Sequence, residues 1–331
     1  MFQSKWFVKI RFLLILSLVF LINSCERQDN IVTIDDGLPP AVPQGLFVYN
    51  ATDGTIDIEW KKNNEPDLKG YNVYRRTNKT DYILIASTKN YYYFDDSLEY
   101  EETYFYKVTS VDLTNLESDF SNEISAIPSN KFKPNRPNDF QAFGRNWNGR
   151  KYMFLKWMTN TESDVSYYNI YRSTVEGFQP DSTNLIGTSN ISTFKDTVSI
   201  ELYKTYYYKI TAVDKGGLES TFSNESSDLI LDLPKLVFPA NNSRVRFFNN
   251  FKIITLPQPA TYKVILQPNE FYGELWSNDF NSNLLNDTLD IGLNYTYFEY
   301  NTKYFWRIVT FTKSFSEPNS ITDLFSFTLI P

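Results

Sequence analysis

The chain is predicted to be all-β, a tandem of β-sandwiches behind an N-terminal signal peptide. Three observations lead there. Apolar residues alternate with period two, one set of motifs is written twice about 100 residues apart, and no long helical pattern follows the N-terminal apolar run.

The alternation is plain in two stretches. In "IDIEW" (56–60), Ile56, Ile58 and Trp60 share one face. In "TYFYKVTSVD" (103–112), Tyr104, Tyr106 and Val108 face one side while Phe105, Lys107 and Thr109 face the other. Short runs of this kind with frequent turn signals specify a sandwich or barrel. Aromatics make up 17% of the residues, and such rings pack well across half-buried strands.

Composition removes much chemistry. The 331 residues are enough for two or three domains, yet include no histidine and a single cysteine, Cys25. Ser-His-Asp and Cys-His catalysis, His-ligated zinc, cysteine clusters and a framework of intrachain disulfides are all excluded. The formal charge of −7 argues against a nucleic-acid partner and against a polybasic membrane surface.

The N-terminus reads as an address. Lys5, Lys9 and Arg11 precede an uncharged apolar run from Phe12 to Ile22. As a helix this run would span about 16 Å, short of a bilayer core of roughly 30 Å, and it fits a signal peptide instead. It ends in Leu21-Ile22-Asn23-Ser24-Cys25, which resembles a bacterial lipobox, with Asn23 where a small residue is usual. That resemblance implies cleavage after residue 24 and a diacylated Cys25 as the first mature residue. Two or more acyl chains anchor a protein stably to a membrane. Residues 25–38 are expected to form a flexible polar tether.

The repeat sets the domain organisation. Trp60 precedes "YNVYR" (71–75) as Trp157 precedes "YNIYR" (168–172). "TYFYKVTSVD" (103–112) returns as "TYYYKITAVD" (205–214), and each is followed by "LES" and "SNE". The second copy carries a small insertion around 175–181. A period near 100 residues is a domain repeat, far longer than a solenoid unit.

These residues resemble the fibronectin type III family of Ig-like sandwiches. The family has a Pro-rich start, a tryptophan in strand B, a Tyr-rich strand C, and a tyrosine in strand F six residues after an apolar one. The first unit supplies Pro39, Pro40, Pro43, Trp60, Tyr71, Leu98 and Tyr104. The second supplies Pro134, Pro137, Trp157, Tyr168, Ile200 and Tyr206. A third, divergent unit has Pro239, "YKVIL" from Tyr262, and Phe298 before Tyr304. It lacks the strand-B tryptophan and the LES…SNE tail. The resemblance implies units at 39–129, 134–232 and 234–331, with Trp60 and Trp157 in their cores. Tyr104, Tyr206 and Tyr304 would be tyrosine corners. The proline-bearing linkers 128–137 and 232–239 would set the units end to end as a semi-rigid rod.

Candidate chemistry is sparse. Glu65 with Asp67, and Glu162 with Asp164, stand before each strand-C tyrosine as loop carboxylates. They suit turn capping better than a calcium site, which needs about six or more oxygens. Asp112, Glu117 and Glu123, echoed by Asp214, Glu219 and Glu225, read the same way. No acidic pair stands in an insertion large enough to wall a glycosidase cleft, and no phosphate loop is present. No catalytic residue, cofactor or metal is therefore expected.

The expected role is a non-enzymatic envelope lipoprotein, anchored through Cys25 to the outer membrane and facing either the periplasm or the cell surface. Its sandwiches would bind an envelope or extracellular protein or glycan, or act as a spacer. The runner-up is an accessory carbohydrate-binding subunit of surface polysaccharide processing, with stacking rings near Trp147, Trp276 or Tyr295. The third unit, with its irregular "NEFYGELW" (269–276) and "NYTYFEY" (294–300), is expected to make the partner contact.

Overall fold

The computed structural model describes residues 36–313 and 317–331. The signal peptide, Cys25 and most of the tether lie outside the described residues. Among those described there is no helix, and so none long and apolar enough to cross a membrane.

The first sandwich contains β1 (Phe47–Thr52), β2 (Thr55–Glu59), β3 (Leu68–Thr77), β4 (Ile83–Thr88), β5 (Tyr92–Asp95), β6 (Tyr104–Asp112) and β7 (Ile124–Ala126). A three-stranded sheet, β1-β2-β5, faces a four-stranded one, β4-β3-β6-β7. The turn between β1 and β2 is Asp53-Gly54, both at positive φ (51° and 71°), the geometry a two-residue hairpin requires.

The second sandwich repeats this order with β8 (Asn138–Trp147), β9 (Arg150–Met158), β10 (Val165–Ser173), β11 (Leu185–Ser189), β12 (Thr193–Asp196), β13 (Tyr206–Asp214) and β14 (Ser226–Asp228). Here β8-β9-β12 faces β11-β10-β13-β14.

The third has β15 (Lys235–Phe238), β16 (Ser243–Val245), β17 (Asn250–Ile254), β18 (Ala260–Gln267), β19 (Trp276–Ser282), β20 (Thr288–Gly292), β21 (Lys303–Phe311), β22 (Ser320–Ile321) and β23 (Phe325–Leu329). Its faces are β15-β17-β20 and β19-β18-β21-β23, with β16 parallel to β23. The chain thus has the fibronectin type III/Ig-like β-sandwich fold in tandem.

Each sandwich encloses its own apolar cluster. Trp60 is 2% exposed and meets Tyr71 edge-on at 5.2 Å; Trp157 is 6% exposed and meets Tyr168 likewise at 5.0 Å. The third core fills the same space from the other sheet. Trp306 on β21 lies 4.7 Å from Phe251 on β17, and its indole N–H donates to the Pro239 carbonyl at 3.1 Å. A tryptophan moved from strand B to strand F thus explains the motif absent from the third unit.

The junctions depart from units joined by proline linkers alone. At the first, the Tyr100 hydroxyl donates to Asp164 at 2.6 Å and Lys215 reaches Glu99 at 2.9 Å. Asp53 caps the linker by accepting from the amides of Lys131 and Phe132, both at 2.8 Å. At the second, β22 of the third sandwich pairs in parallel with the end of β8, placing Ser320 beside Asn146 and Ile321 beside Trp147. The sheets of the two sandwiches become one nine-stranded sheet. Asn319 spans the joint, donating to Leu229 O at 2.7 Å and accepting from Leu231 N at 2.8 Å. Gly144 allows this approach, since a Cβ there would lie 2.0 Å from Leu229 O.

Candidate functional site

The repeated aromatic and acidic motifs are taken up by structure. The hydroxyls of Tyr104, Tyr206 and Tyr304 accept from the amides of Glu99 (3.0 Å), Glu201 (3.0 Å) and Glu299 (2.7 Å), closing the turn before each F strand. The middle tyrosines do something else. Tyr106 and Tyr208 donate to the buried carboxylates of Asp95 and Asp196, which also pair with Arg75 and Arg172, each at 2.7 Å. Burial, reinforced by the adjacent carboxylate, pushes both phenols well above the usual tyrosine range. The two sheets are stapled in each of the first two sandwiches, and neither aspartate stood out in the sequence. A signal was there, because an aspartate ends both β5 and β12 and an arginine ends both "YN[VI]YR" motifs.

The LES…SNE tail replaces part of a strand. Ser118 and Ser121 accept from the amides of Ser110 and Val108, and Ser220 and Ser223 accept from those of Ala212 and Ile210, at 2.9–3.0 Å. Side-chain oxygens so satisfy the edge of β6 and β13. In the third sandwich Thr322 does this for Ile308 at 3.0 Å. Glu117 accepts from Asn72, Tyr74 and Thr109, and Glu219 from Asn169, Tyr171 and Thr211. Glu65 and Glu162 tie the segments before β1 and β8 to their sandwiches by accepting from Ala41 N (2.8 Å) and Asn135 N (2.6 Å). Among the described residues no group of three or more acidic side chains is placed to hold a metal.

What structure leaves unused is at the far end of the third sandwich. Three loops, 246–249, 268–275 and 293–302, converge there: Leu293 N donates to Asn249 O at 2.7 Å, and the Trp276 indole N–H donates to Asn294. Phe271, Tyr272 and Tyr297 are 85%, 74% and 81% exposed, with Phe247 and Tyr300 also out in solvent. They stand on an ordered base. Phe298 packs on Tyr304 and Tyr295, each at 4.9 Å, and meets Phe247 at 6.3 Å. The 268–275 loop is braced by Asn269, which accepts from the amides of Phe271 and Tyr272 at 2.9 and 3.0 Å, and by Gly273 at φ 94°. Glu270 and Glu299, both exposed, are close to these rings in sequence.

Of the rings expected to stack near Trp147, Trp276 or Tyr295, the last two belong to this end but do not form its surface. Trp276 is half-buried and stacks on core Phe251 at 6.0 Å, and Tyr295 is half-buried among Tyr297 and Phe298. Their rings support the surface, while Phe271, Tyr272 and Tyr297 form it. A second exposed aromatic face lies on the first sandwich, where register aligns Phe47, Glu59 and Tyr92 in one row and Asp57 with Phe94 in the next.

No protein-family model matches the chain, and no curated protein matches it. Among solved structures, the crystal structure of the chicken CNTN1 FN1-FN3 domains matches over 88% of this chain and 100% of its own, at 12% identity and a TM-score of 0.36. A likeness of that degree carries no argument about function.

Proposed function

We propose that the chain is a non-enzymatic lipoprotein of the bacterial cell envelope, anchored through Cys25. Its tandem sandwiches hold the aromatic end of the third away from the membrane for a protein or glycan partner. The observation that carries this reading is the braced cluster of Phe271, Tyr272 and Tyr297, with exposures of 74–85%. Exposed aromatic groups gathered on loops at one end of an ordered scaffold mark an interaction surface, and rigid rings lose little entropy on binding. The buried aspartates support a structural body, since Asp95, Asp196 and Asp228 are engaged by arginine, tyrosine, threonine or backbone donors. The accessory carbohydrate-binding reading would use the same rings, with Glu270 and Glu299, close to them in sequence, as hydrogen-bond acceptors.

Truncation at Leu233 is a poor test, because it would strip β22 from β8 and expose Asp228. Replacing Phe271, Tyr272 and Tyr297 together with Ser leaves the core intact. Capture from the native envelope should then fall at least about tenfold, as loss of a hot-spot cluster does. Capture at the parent level would remove this surface from the reading.

A further inference from the structure

A different surface, independent of the distal end, lies on the outer face of the second sandwich. The turn Asn148-Gly149, at φ 52° and 72°, pairs Trp147 directly with Arg150 and sets Tyr152 opposite Arg145. On the neighbouring strand Lys195 comes to 5.4 Å from the Tyr152 ring centre. Together Trp147, Arg150, Lys151, Tyr152, Lys195 and Thr197 line an open groove of about 720 Å³.

Its charge is unbalanced. Arg145 and Lys156, on the same face, share the single carboxylate of Glu317 of the third sandwich, at 2.5 and 3.0 Å. Among the described residues Arg150, Lys151 and Lys195 form no ion pair, and no carboxylate lines the groove. Trp147 is fixed, with Arg145 4.2 Å from its ring centre and its indole N–H donating to Pro318 O at 3.3 Å. Two free cations on the ring face, Arg150 and Lys195, beside two positioned rings in a chain of net charge −7, are a local reversal of sign. Alternation along β9 turns Lys151 to the other face of the strand.

We infer that this groove binds a segment of an acidic polysaccharide. A sugar chain bearing carboxylates offers both features the groove complements: anionic groups for the Arg150 guanidinium and the Lys195 ammonium, and C–H faces for Trp147 and Tyr152. The open shape suits a length of polymer better than a free ion, and no helix N-terminus or Gly-rich nest is present to select phosphate. Acidity elsewhere does not oppose a short segment, because charges beyond about 8–10 Å are screened at physiological salt.

The test measures binding of the purified full-length protein in detergent to polygalacturonate, dextran and poly-glutamate. Binding to polygalacturonate alone is expected, weakening with salt. The exposed double variant Arg150→Glu/Lys195→Glu should reduce it at least about tenfold, and Tyr152→Ser should reduce it with both cations kept. Absence of polygalacturonate binding at low salt would overturn the inference. So would equal binding of poly-glutamate that Tyr152→Ser leaves unchanged, which would assign the groove to acidic polypeptide.

Discussion

Tyr106 donates its hydroxyl to Asp95 at 2.6 Å across the two sheets of the first sandwich, and Tyr208 does the same to Asp196 at 2.9 Å in the second. Arg75 and Arg172 complete each group. Replacing Asp95 with Asn leaves Arg75 without its counter-charge and should cost on the order of 3 kcal/mol. Tyr106→Phe should cost less, about 1–3 kcal/mol, because one hydrogen bond to a charged group is lost. Hydrogen exchange of full-length protein checks both, with protection falling across β3, β5 and β6 and holding in the third sandwich.

Trp60 and Trp157 occupy equivalent core positions, so Ala at either should cost roughly 3–5 kcal/mol. Trp306→Ala should cost as much, since it takes that space from strand F. Denaturant unfolding resolved by sandwich gives the comparison, and a loss below about 1 kcal/mol at any of the three would contradict the packing described.

Glu117 and Glu219 predict a pH dependence. Burial alone would raise their carboxyls, but hydrogen bonds from Thr109, Asn72 and Tyr74, and from Thr211, Asn169 and Tyr171, outweigh it and hold both below the usual glutamate range. A depressed folded-state pKa adds stability that is present above the unfolded value, near 4.5, and is lost as pH falls through the folded value. The parent should therefore lose stability below about pH 4.5 more steeply than a Glu117→Gln/Glu219→Gln variant. Urea midpoints measured down the pH series report the difference, and parallel curves would contradict it.

The sandwich class is legible in the sequence because a half-buried strand must alternate, and "IDIEW" and "YFYKVTSV" do. The joint between the second and third sandwiches is not. Ser320 and Asn146 pair over a long sequence separation, in parallel, through a two-residue strand with no periodicity of its own. The Arg–Asp–Tyr staples hide for a related reason, since their members lie on three strands and each has an ordinary local role. At the distal end, "NEFYGELW" locates aromatic residues, yet only the fold separates Phe271, left in solvent, from Trp276, stacked on the core. Exposure is a property of packing, and composition does not carry it.

The second joint is predicted to be cooperative. Asn319→Ala removes the bonds to Leu229 and Leu231 and leaves those backbone groups unpaired, at about 1–3 kcal/mol. Exchange of the Asn146 amide, which donates to Asn319 O at 2.7 Å, should rise with it.

Anchoring at Cys25 is tested most directly by fractionating cells that express a Cys25→Ala variant beside the parent, with folding of both checked by circular dichroism. The account predicts that the parent sediments with membranes and the variant moves to the soluble fraction. Retention of the folded variant in the membrane pellet at the parent level would contradict it.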